Sequence, residues 1–377
     1  MARRVATATP RSDGLLFGKS LDPRRNSLNL IRLVLAAAVL YAHSFYLAGA
    51  GTGPDLAGEN AGGWAVAGFF TISGFLITAS RFSNGFGTYL VHRIARIFPA
   101  FLVCLLVTVA FFAPIGYLAQ NGNLSGYLTT ETTPARFVFI NLFLQMRAFD
   151  VAFTPAQVPF PGSWNGSLWT LYYEFQCYLL IGVAAMIPVV RRSVWPLLVL
   201  FGVSVAAYAN LETVSRYLGD PSFALLLRLL PFFLGGCIIQ LLSRRIGLHW
   251  LPGILAGMAA LLLIAVIPTW GGQLASPLIA YFLLWFSTVL PSPALAKRHD
   301  ISYGFYIYAW PIQQLLAVYG MHELGLLAYN LLAVAGTTLL ALGSWLLVER
   351  PVMRQVRKAG RPPNPENVTT TVSPAVG

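Results

Sequence analysis

The stretch NLIRLVLAAAVLYAHSF, residues 29–45, decides the fold class because it is an apolar run that contains one arginine and one histidine. At about 100° and 1.5 Å per residue, a helix places Arg32 and His43 within about 20° of each other and about 16 Å apart along its axis. Ionisable side chains in a membrane helix are costly and usually face the interior of a bundle. The pair therefore predicts a membrane-spanning helix with two functional side chains on one face. The alternative is that Arg32 reaches the interface and His43 is a structural interior histidine.

The composition excludes a soluble protein. Of the 377 residues, 56% are hydrophobic and only 10% are charged, and the mean hydropathy is +0.67. A soluble core cannot bury that much apolar surface. The formal charge of +12 is compatible with nucleic-acid binding, but the basic residues lie at the ends of apolar segments. We therefore expect an all-α, polytopic integral membrane protein that does not bind nucleic acid.

The chain contains ten apolar segments, each of which predicts a membrane span. The first is longer than the apolar core of a signal peptide, which favours a span over a cleaved leader. Basic residues concentrate in alternate connections, so the positive-inside rule places both termini in the cytoplasm. We therefore predict a multi-pass protein of the plasma (inner) membrane. The segments are 28–48, 63–80, 96–119, 167–189, 194–210, 222–242, 250–268, 273–290, 301–320 and 324–348.

The predicted domain organisation has three parts. Residues 1–27 form a flexible, basic, cytoplasmic N-terminal tail, residues 28–350 form the ten-helix domain, and residues 351–377 form a cytoplasmic C-terminal tail that is largely disordered. The long connection at 120–166 is rich in aromatic residues, which argues against disorder. We predict that it is an ordered element covering a cavity at the outer face. An interfacial helix is the alternative.

Three polar residues are predicted to meet in the outer half of the bundle. Glu174 lies about 10 Å below the outer end of the fourth span, Arg228 about 8 Å into the sixth, and His43 near the outer end of the first. A glutamate that accepts from the imidazole would orient His43 to remove a proton from a hydroxyl, and the arginine would stabilise developing charge. The alternative is a structural Glu174–Arg228 ion pair.

A second cluster is predicted at the inner face. The segment YLVHRIARIFPAF, residues 89–101, places Arg93 and Arg96 at the start of the third span, on the side of Arg32. Helix N-termini favour anions and arginine binds phosphate bidentately, which predicts a site for the phosphates of a cytoplasmic cofactor. The alternative is that these arginines only mark an inner helix end. The three cysteines lie in separate spans and no metal-binding motif is present, so we predict no metal.

Seven short features occur in a fixed order between residues 26 and 358. The chain thereby resembles the membrane-bound acyltransferase-3 family. The features are the Arg32/His43 pair, FFTISGFLI at 69–77, RIARIFP at 93–99, SLWTLYYE at 167–174, the RLLPFFLGG segment from Arg228, SYGFYIYAWP at 302–311 and VERP at 348–351.

This resemblance implies about ten spans and the transfer of an acyl group, commonly acetyl from acetyl-CoA, to a hydroxyl of a surface glycan or a small natural product. It implies that Arg32, His43 and Glu174 are catalytic. Arg228, Tyr303 and Trp169 lie in the same motifs and are expected to bind the substrate. Many members of the family carry a histidine where this chain has Ala309, which puts a mechanism with a second histidine in doubt.

Together these patterns predict a membrane-embedded O-acyltransferase. Acyl-CoA, most simply acetyl-CoA, would bind Arg32, Arg93 and Arg96 from the cytoplasm. His43, oriented by Glu174, would deprotonate the hydroxyl of a glycan or lipid-linked sugar at the outer side, or would first accept the acyl group itself. Two alternatives use the same buried charges: a secondary transporter or flippase for a lipid-linked sugar, and a catalytically inactive sensor. The sequence does not indicate the oligomeric state.

Overall fold

The computed structural model describes residues 15–294 and 298–359, which are mostly helical. In this part of the chain, the only paired strands are β1 (Asp55–Leu56) and β2 (Glu59–Asn60), which form an antiparallel hairpin. The helices of the first half are α1 (Leu28–Leu47), α2 (Ala61–Ser83), α3 (Phe86–Val107), α4 (Ala113–Asn121), α5 (Pro134–Asn141), α6 (Thr170–Ala184) and α7 (Pro188–Arg192).

The second half continues with nine further helices over the described residues. Turns of π-helix join α3 to α4 at Thr108–Phe112 and follow the penultimate helix at Trp345–Glu349. The helices are α8 (Trp195–Ala209), α9 (Leu211–Leu218), α10 (Pro221–Leu242), α11 (Trp250–Val266), α12 (Gly271–Leu274), α13 (Ser276–Val289), α14 (Ser302–Val318), α15 (Leu326–Ser344) and α16 (Arg350–Ala359).

Five helical segments of the described chain are long and apolar enough to cross a membrane. A sixth is added if α8 and α9, which meet at a bend of 90°, count as one span. These helices confirm the prediction of a helical, multi-pass membrane protein, whereas ten spans and cytoplasmic termini remain predictions. The five segments are Leu28–Leu47, Ala61–Ser83, Phe86–Asn121, Ser222–Leu242 and Leu326–Ala359.

The closest helix packing joins α2 to α10. A Cβ atom on Gly74 would lie 1.9 Å from the carbonyl oxygen of Phe233, and one on Gly236 would lie 2.0 Å from that of Thr71. The two backbones therefore touch without side chains between them. Small residues allow this approach in membrane proteins, where dispersion contacts rather than the hydrophobic effect hold helices together.

We expect the Gly236→Val variant to lose about 2 kcal/mol of unfolding free energy because its side chain would separate α2 from α10. Thermal unfolding in detergent measures this loss. The matched control is Gly202→Val on α8, where an added Cβ would meet no atom within 4 Å. Equal unfolding temperatures for the two variants would show that the α2–α10 contact tolerates a side chain.

Part of the N-terminal tail is fixed to the bundle, contrary to the flexible tail expected from its polar composition. Lys19 and Leu248 exchange backbone hydrogen bonds of 3.1 and 2.7 Å, and Gly247 N donates to Phe17 O. Gly18, with φ +70°, permits this approach because a Cβ there would lie 2.5 Å from the Leu248 oxygen. Residues 1–14 and 360–377 of the two predicted tails lie outside the described residues, and residues 350–359 are helical.

The connection at 120–166 is ordered, as predicted. It contains α5 and a fully buried Trp164, whose indole nitrogen donates to Thr154 Oγ1 at 3.0 Å. Farther along, the Phe160 ring packs on Tyr46 of α1 and on Trp310 of α14. The connection therefore covers the end of α1 that carries His43.

Candidate active site

Aromatic side chains hold His43 in place on α1. Its ring lies 4.8 Å from the Trp310 ring in an edge-to-face contact and 5.5 Å from the Tyr46 ring. Trp310 is fixed in turn by a 2.9 Å hydrogen bond from its Nε1 to the Ser163 oxygen. It also lies against Gly166, where a Cβ would be 2.3 Å from the indole. The chain thus positions the imidazole by packing rather than by a carboxylate.

The predicted orientation of His43 by Glu174 is wrong. His43 Nδ1 is buried and has no hydrogen-bond partner. Glu174 Oε1 instead accepts from Ser73 Oγ at 2.8 Å and from Tyr178 OH at 2.5 Å. The reason is helical geometry: Thr170 lines the cavity beside His43, and Glu174, one turn farther along α6, faces the next cavity toward Arg32.

Arg228 lines the same cavity as His43, as predicted, but its acidic partner is Glu59. Glu59 ends the β-hairpin next to Asn60, whose side chain caps α2 by accepting from Gly63 N at 3.0 Å. The Glu174–Arg228 ion pair, the structural alternative, is therefore not formed either. His43, Glu59 and Arg228 line a cavity of about 150 Å³, together with Trp169, Thr170, Val66 and Tyr306. We call it the histidine cavity.

A second, narrow cavity of about 40 Å³ adjoins the histidine cavity. Val66, Thr170 and Tyr306 line both cavities, so the two are neighbours. We call it the middle cavity. Its walls are mostly apolar and aromatic, and Arg32 and Glu174 are the charged residues in its lining. Its remaining lining includes Phe69, Phe70, Leu171, Tyr303, Arg32 and Glu174.

Tyr303, predicted to bind substrate, lies in the middle cavity rather than beside His43. Its hydroxyl donates to the Ile97 oxygen at 2.8 Å, and the Arg96 guanidinium lies 5.7 Å from its ring. Trp169, the other aromatic candidate, lines the histidine cavity. The structure therefore places the two aromatic candidates at different depths along one path.

A cavity of about 500 Å³ lies at the Arg32 end of α1. Arg32, Arg93 and Arg96 all line it, as the sequence predicted, with Ser73 and Tyr178 between them. Arg32 also lines the middle cavity and so connects the two. We call this space the arginine cavity. Four further arginines line it, namely Arg298, Arg350, Arg354 and Arg357.

Two carboxylates that the sequence reasoning missed bind Arg32 and Arg96. Asp300 Oδ2 accepts from Arg32 at 2.9 Å and from Arg96 at 2.7 Å, and Arg96 also contacts Glu349 at 3.0 Å. Burial acts to raise the pKa of Asp300, but Arg32 and Arg96 together hold it below its ordinary value. Arg93 takes part in none of the ion pairs in the described chain, and its Nε is buried without a partner.

A further cavity of about 440 Å³ adjoins the histidine cavity, with which it shares Glu59 and Arg228. Trp64 and Phe232 supply aromatic surface, and Gln273 adds a polar group whose Nε2 donates to the Arg228 oxygen at 3.3 Å. We call it the outer cavity. Among residues 15–294 and 298–359, no group of His, Cys, Asp and Glu could hold a metal ion.

Comparison with known proteins identifies the class of enzyme. A sequence model of the family described as an acyltransferase domain matches residues 25–349. The chain belongs to the acyltransferase-3 family. Its match spans every helix that lines the histidine and middle cavities.

Two relatives of this acyltransferase-3 chain cover nearly its whole length. An O-acetyl transferase of Shigella phage Sf6 is 31% identical over 336 residues, which are 87% of this chain and 96% of the relative. Nodulation protein 10 of Rhizobium leguminosarum bv. viciae is 27% identical over 362 residues, covering 88% and 94%. No solved structure matches the chain.

Proposed function

We propose that this acyltransferase moves an acyl group, first of all acetyl, from cytoplasmic acyl-CoA to a hydroxyl of a carbohydrate at the outer side of a plasma (inner) membrane. The observation that carries this proposal is the row of adjoining cavities. Arg32 connects the arginine cavity to the middle cavity, and Val66, Thr170 and Tyr306 connect the middle cavity to the histidine cavity. A donor and an acceptor could therefore meet from opposite ends.

The arginine cavity suits the phosphates of coenzyme A. Its lining has a large excess of positive charge, and Arg93 makes no ion pair in the described chain. Arginine binds phosphate oxygens bidentately. The narrow middle cavity suits the thin pantetheine arm, and the arm would follow α1 over the about 16 Å that separate Arg32 from His43. Acetyl is the preferred acyl group because one relative is named an O-acetyl transferase.

His43 is the proposed general base. Its Nδ1 is buried, so we assign the proton transfer to Nε2. Nε2 takes the proton of the acceptor hydroxyl, the hydroxyl oxygen forms a bond to the thioester carbon, and the carbon–sulfur bond breaks. Coenzyme A leaves as the thiolate and then takes up the proton that His43 Nε2 received, which returns the imidazole to its neutral form. Glu174 is a positioning residue in this scheme, because it holds Ser73 and Tyr178 where the arginine and middle cavities meet.

The outer cavity suits a glycan or lipid-linked sugar as the acceptor. Its aromatic surface at Trp64 can pack on a sugar ring, and the Glu59–Arg228 pair offers charged partners to hydroxyl groups where the outer and histidine cavities join. A small natural product would need only the histidine cavity. The additional space of about 440 Å³ favours the larger acceptor.

Blocking the middle cavity tests the row of cavities without removing a charged group. We expect Val66→Phe to lower CoA release from acetyl-CoA about tenfold, equivalent to about 1.4 kcal/mol on the barrier. Binding of adenosine 3′,5′-bisphosphate, a fragment of CoA without the pantetheine arm, should be unchanged, because Val66 does not line the arginine cavity. The measurement uses protein in lipid nanodiscs, radiolabelled acetyl-CoA and a panel of saccharide acceptors.

The matched control is Val199→Phe, since Val199 lies on α8 with 65% of its surface exposed and lines none of the three cavities. Full turnover in Val66→Phe would refute the proposed path. A wild type that neither binds nor cleaves any acyl-CoA would refute the proposed donor.

A further inference from the structure

The last described helix, α16, lies beyond the family match, which ends at residue 349. Arg350, Arg354 and Arg357 follow one another at spacings of four and three residues, which places them on one face of a helix. All three line the arginine cavity, where Arg298 joins them from the segment before α14. Nothing in the proposed mechanism so far uses these four residues.

This cluster is electrostatically costly without an anion. Like charges at these helical spacings repel each other. None of the four arginines takes part in an ion pair within the described residues. Of the described residues, Asp300 is the only carboxylate in the cavity lining, and it is already shared by Arg32 and Arg96. Membrane topology alone explains basic residues at a helix end, but not their convergence on a cavity.

We propose that Arg298 and the α16 arginines form a clamp for a phosphate monoester, the 3′-phosphate of coenzyme A. This proposal rests on acyl-CoA being the donor. If the pantetheine arm enters the middle cavity past Arg32, the pyrophosphate follows it, and the 3′-phosphate lies at the far end of the molecule. The α16 arginines line the arginine cavity and not the middle cavity. A phosphate monoester carries nearly two charges at neutral pH and presents three acceptor oxygens to them.

A comparison of CoA with 3′-dephospho-CoA tests the clamp. Binding is measured on the full chain in phosphatidylcholine nanodiscs for the wild type, Arg354→Ala and Arg357→Ala. We expect each substitution to weaken CoA binding about tenfold, the effect of losing a charge-assisted hydrogen bond, and to change 3′-dephospho-CoA binding less than about twofold. The wild type should likewise bind CoA about tenfold more tightly than 3′-dephospho-CoA. The control is Lys358→Ala, on the same helix but outside the cavity lining.

Three outcomes would overturn the clamp. Equal losses for both ligands would show that the arginines do not contact the 3′-phosphate. An effect that occurs only in nanodiscs containing phosphatidylglycerol would assign the arginines to a lipid headgroup. The arginines would have a structural role if the variants that bind CoA more weakly also unfold at a lower temperature and if Arg354→Lys recovers no part of the lost CoA affinity. A wild type that cleaves acetyl-CoA without preferring CoA to its dephospho form would refute the clamp alone and leave the proposed function intact.

Discussion

The His43→Ala variant is expected to transfer acyl groups about 10²–10⁴-fold more slowly than the wild type, the usual contribution of a general base. His43 lines the cavity where donor and acceptor would meet, and among residues 15–294 and 298–359 it is the only histidine in the lining of the histidine, middle and arginine cavities. Release of CoA from radiolabelled acetyl-CoA measures the loss. Affinity for CoA should be unchanged, since His43 lies outside the arginine cavity.

His322→Ala is the matched control because His322 lies in the short 3₁₀ helix after α14, outside these three cavities. A second variant, Trp310→Phe, keeps an aromatic ring beside the imidazole but removes the indole hydrogen bond to Ser163. It should retain more activity than His43→Ala, with a lower kcat and little change in the donor KM. Wild-type turnover by His43→Ala would exclude proton transfer by this residue.

The Asp300→Asn variant is expected to lose about 2–3 kcal/mol of stability, less than the cost of breaking a fully buried ion pair, because these side chains are 16–21% exposed. Arg32 and Arg96 both donate to Asp300 Oδ2, so the neutral side chain would leave two neighbouring guanidinium groups with only Glu349 as a counter-ion. Unfolding of the protein in detergent with denaturant measures the change. A loss below about 1 kcal/mol would show that the pair behaves like an exposed ion pair.

A double variant separates charge from packing at this position. Arg32→Met together with Asp300→Asn removes one cation with the carboxylate, and it should be more stable than Asp300→Asn alone. The pH dependence has a definite sign. Because Arg32 and Arg96 hold the pKa of Asp300 below its ordinary value, its contribution to stability is present above the unfolded-state pKa and is lost as the pH falls through the folded-state value.

The features that sequence reasoning predicted correctly follow from properties of each single helix: its period, its charged end and the depth of a residue along it. Arg32 and His43 share a stripe because the helical period is local, and the structure places one in the arginine cavity and the other in the histidine cavity. Arg93 and Arg96 join Arg32 for the same reason, since basic residues mark the same end of neighbouring helices. Arg228 and His43 line one cavity, as predicted, because depth along a span can be estimated from residue number alone.

The errors arise where a contact depends on how two helices are rotated about their own axes. Depth placed Glu174 near His43, but depth does not determine which face of α6 points toward α1. Asp300 and Glu349 were missed because their arginine partners are 268 and 253 residues away in the chain, which no local pattern reveals. Asp300 lies two residues before the motif SYGFYIYAWP, and Glu349 is the acidic residue of VERP. A charged residue within or beside such a motif is therefore a usable signal.

The π turn at Trp345–Glu349 makes the gene tolerant of a deletion at one place. The turn holds about one residue more than an α-helical turn, and this extra residue adds almost no rotation, whereas an extra residue in a regular α-helix turns everything after it by about 100°. Deleting the codon of the exposed Leu346 or Leu347 would therefore leave an ordinary α-helix that still directs Arg350, Arg354 and Arg357 at the arginine cavity. Deleting one codon between Arg350 and Arg357 would instead separate these arginines onto different faces of α16. In comparisons of related genes, a single-residue gap should be tolerated within the π turn and not within α16.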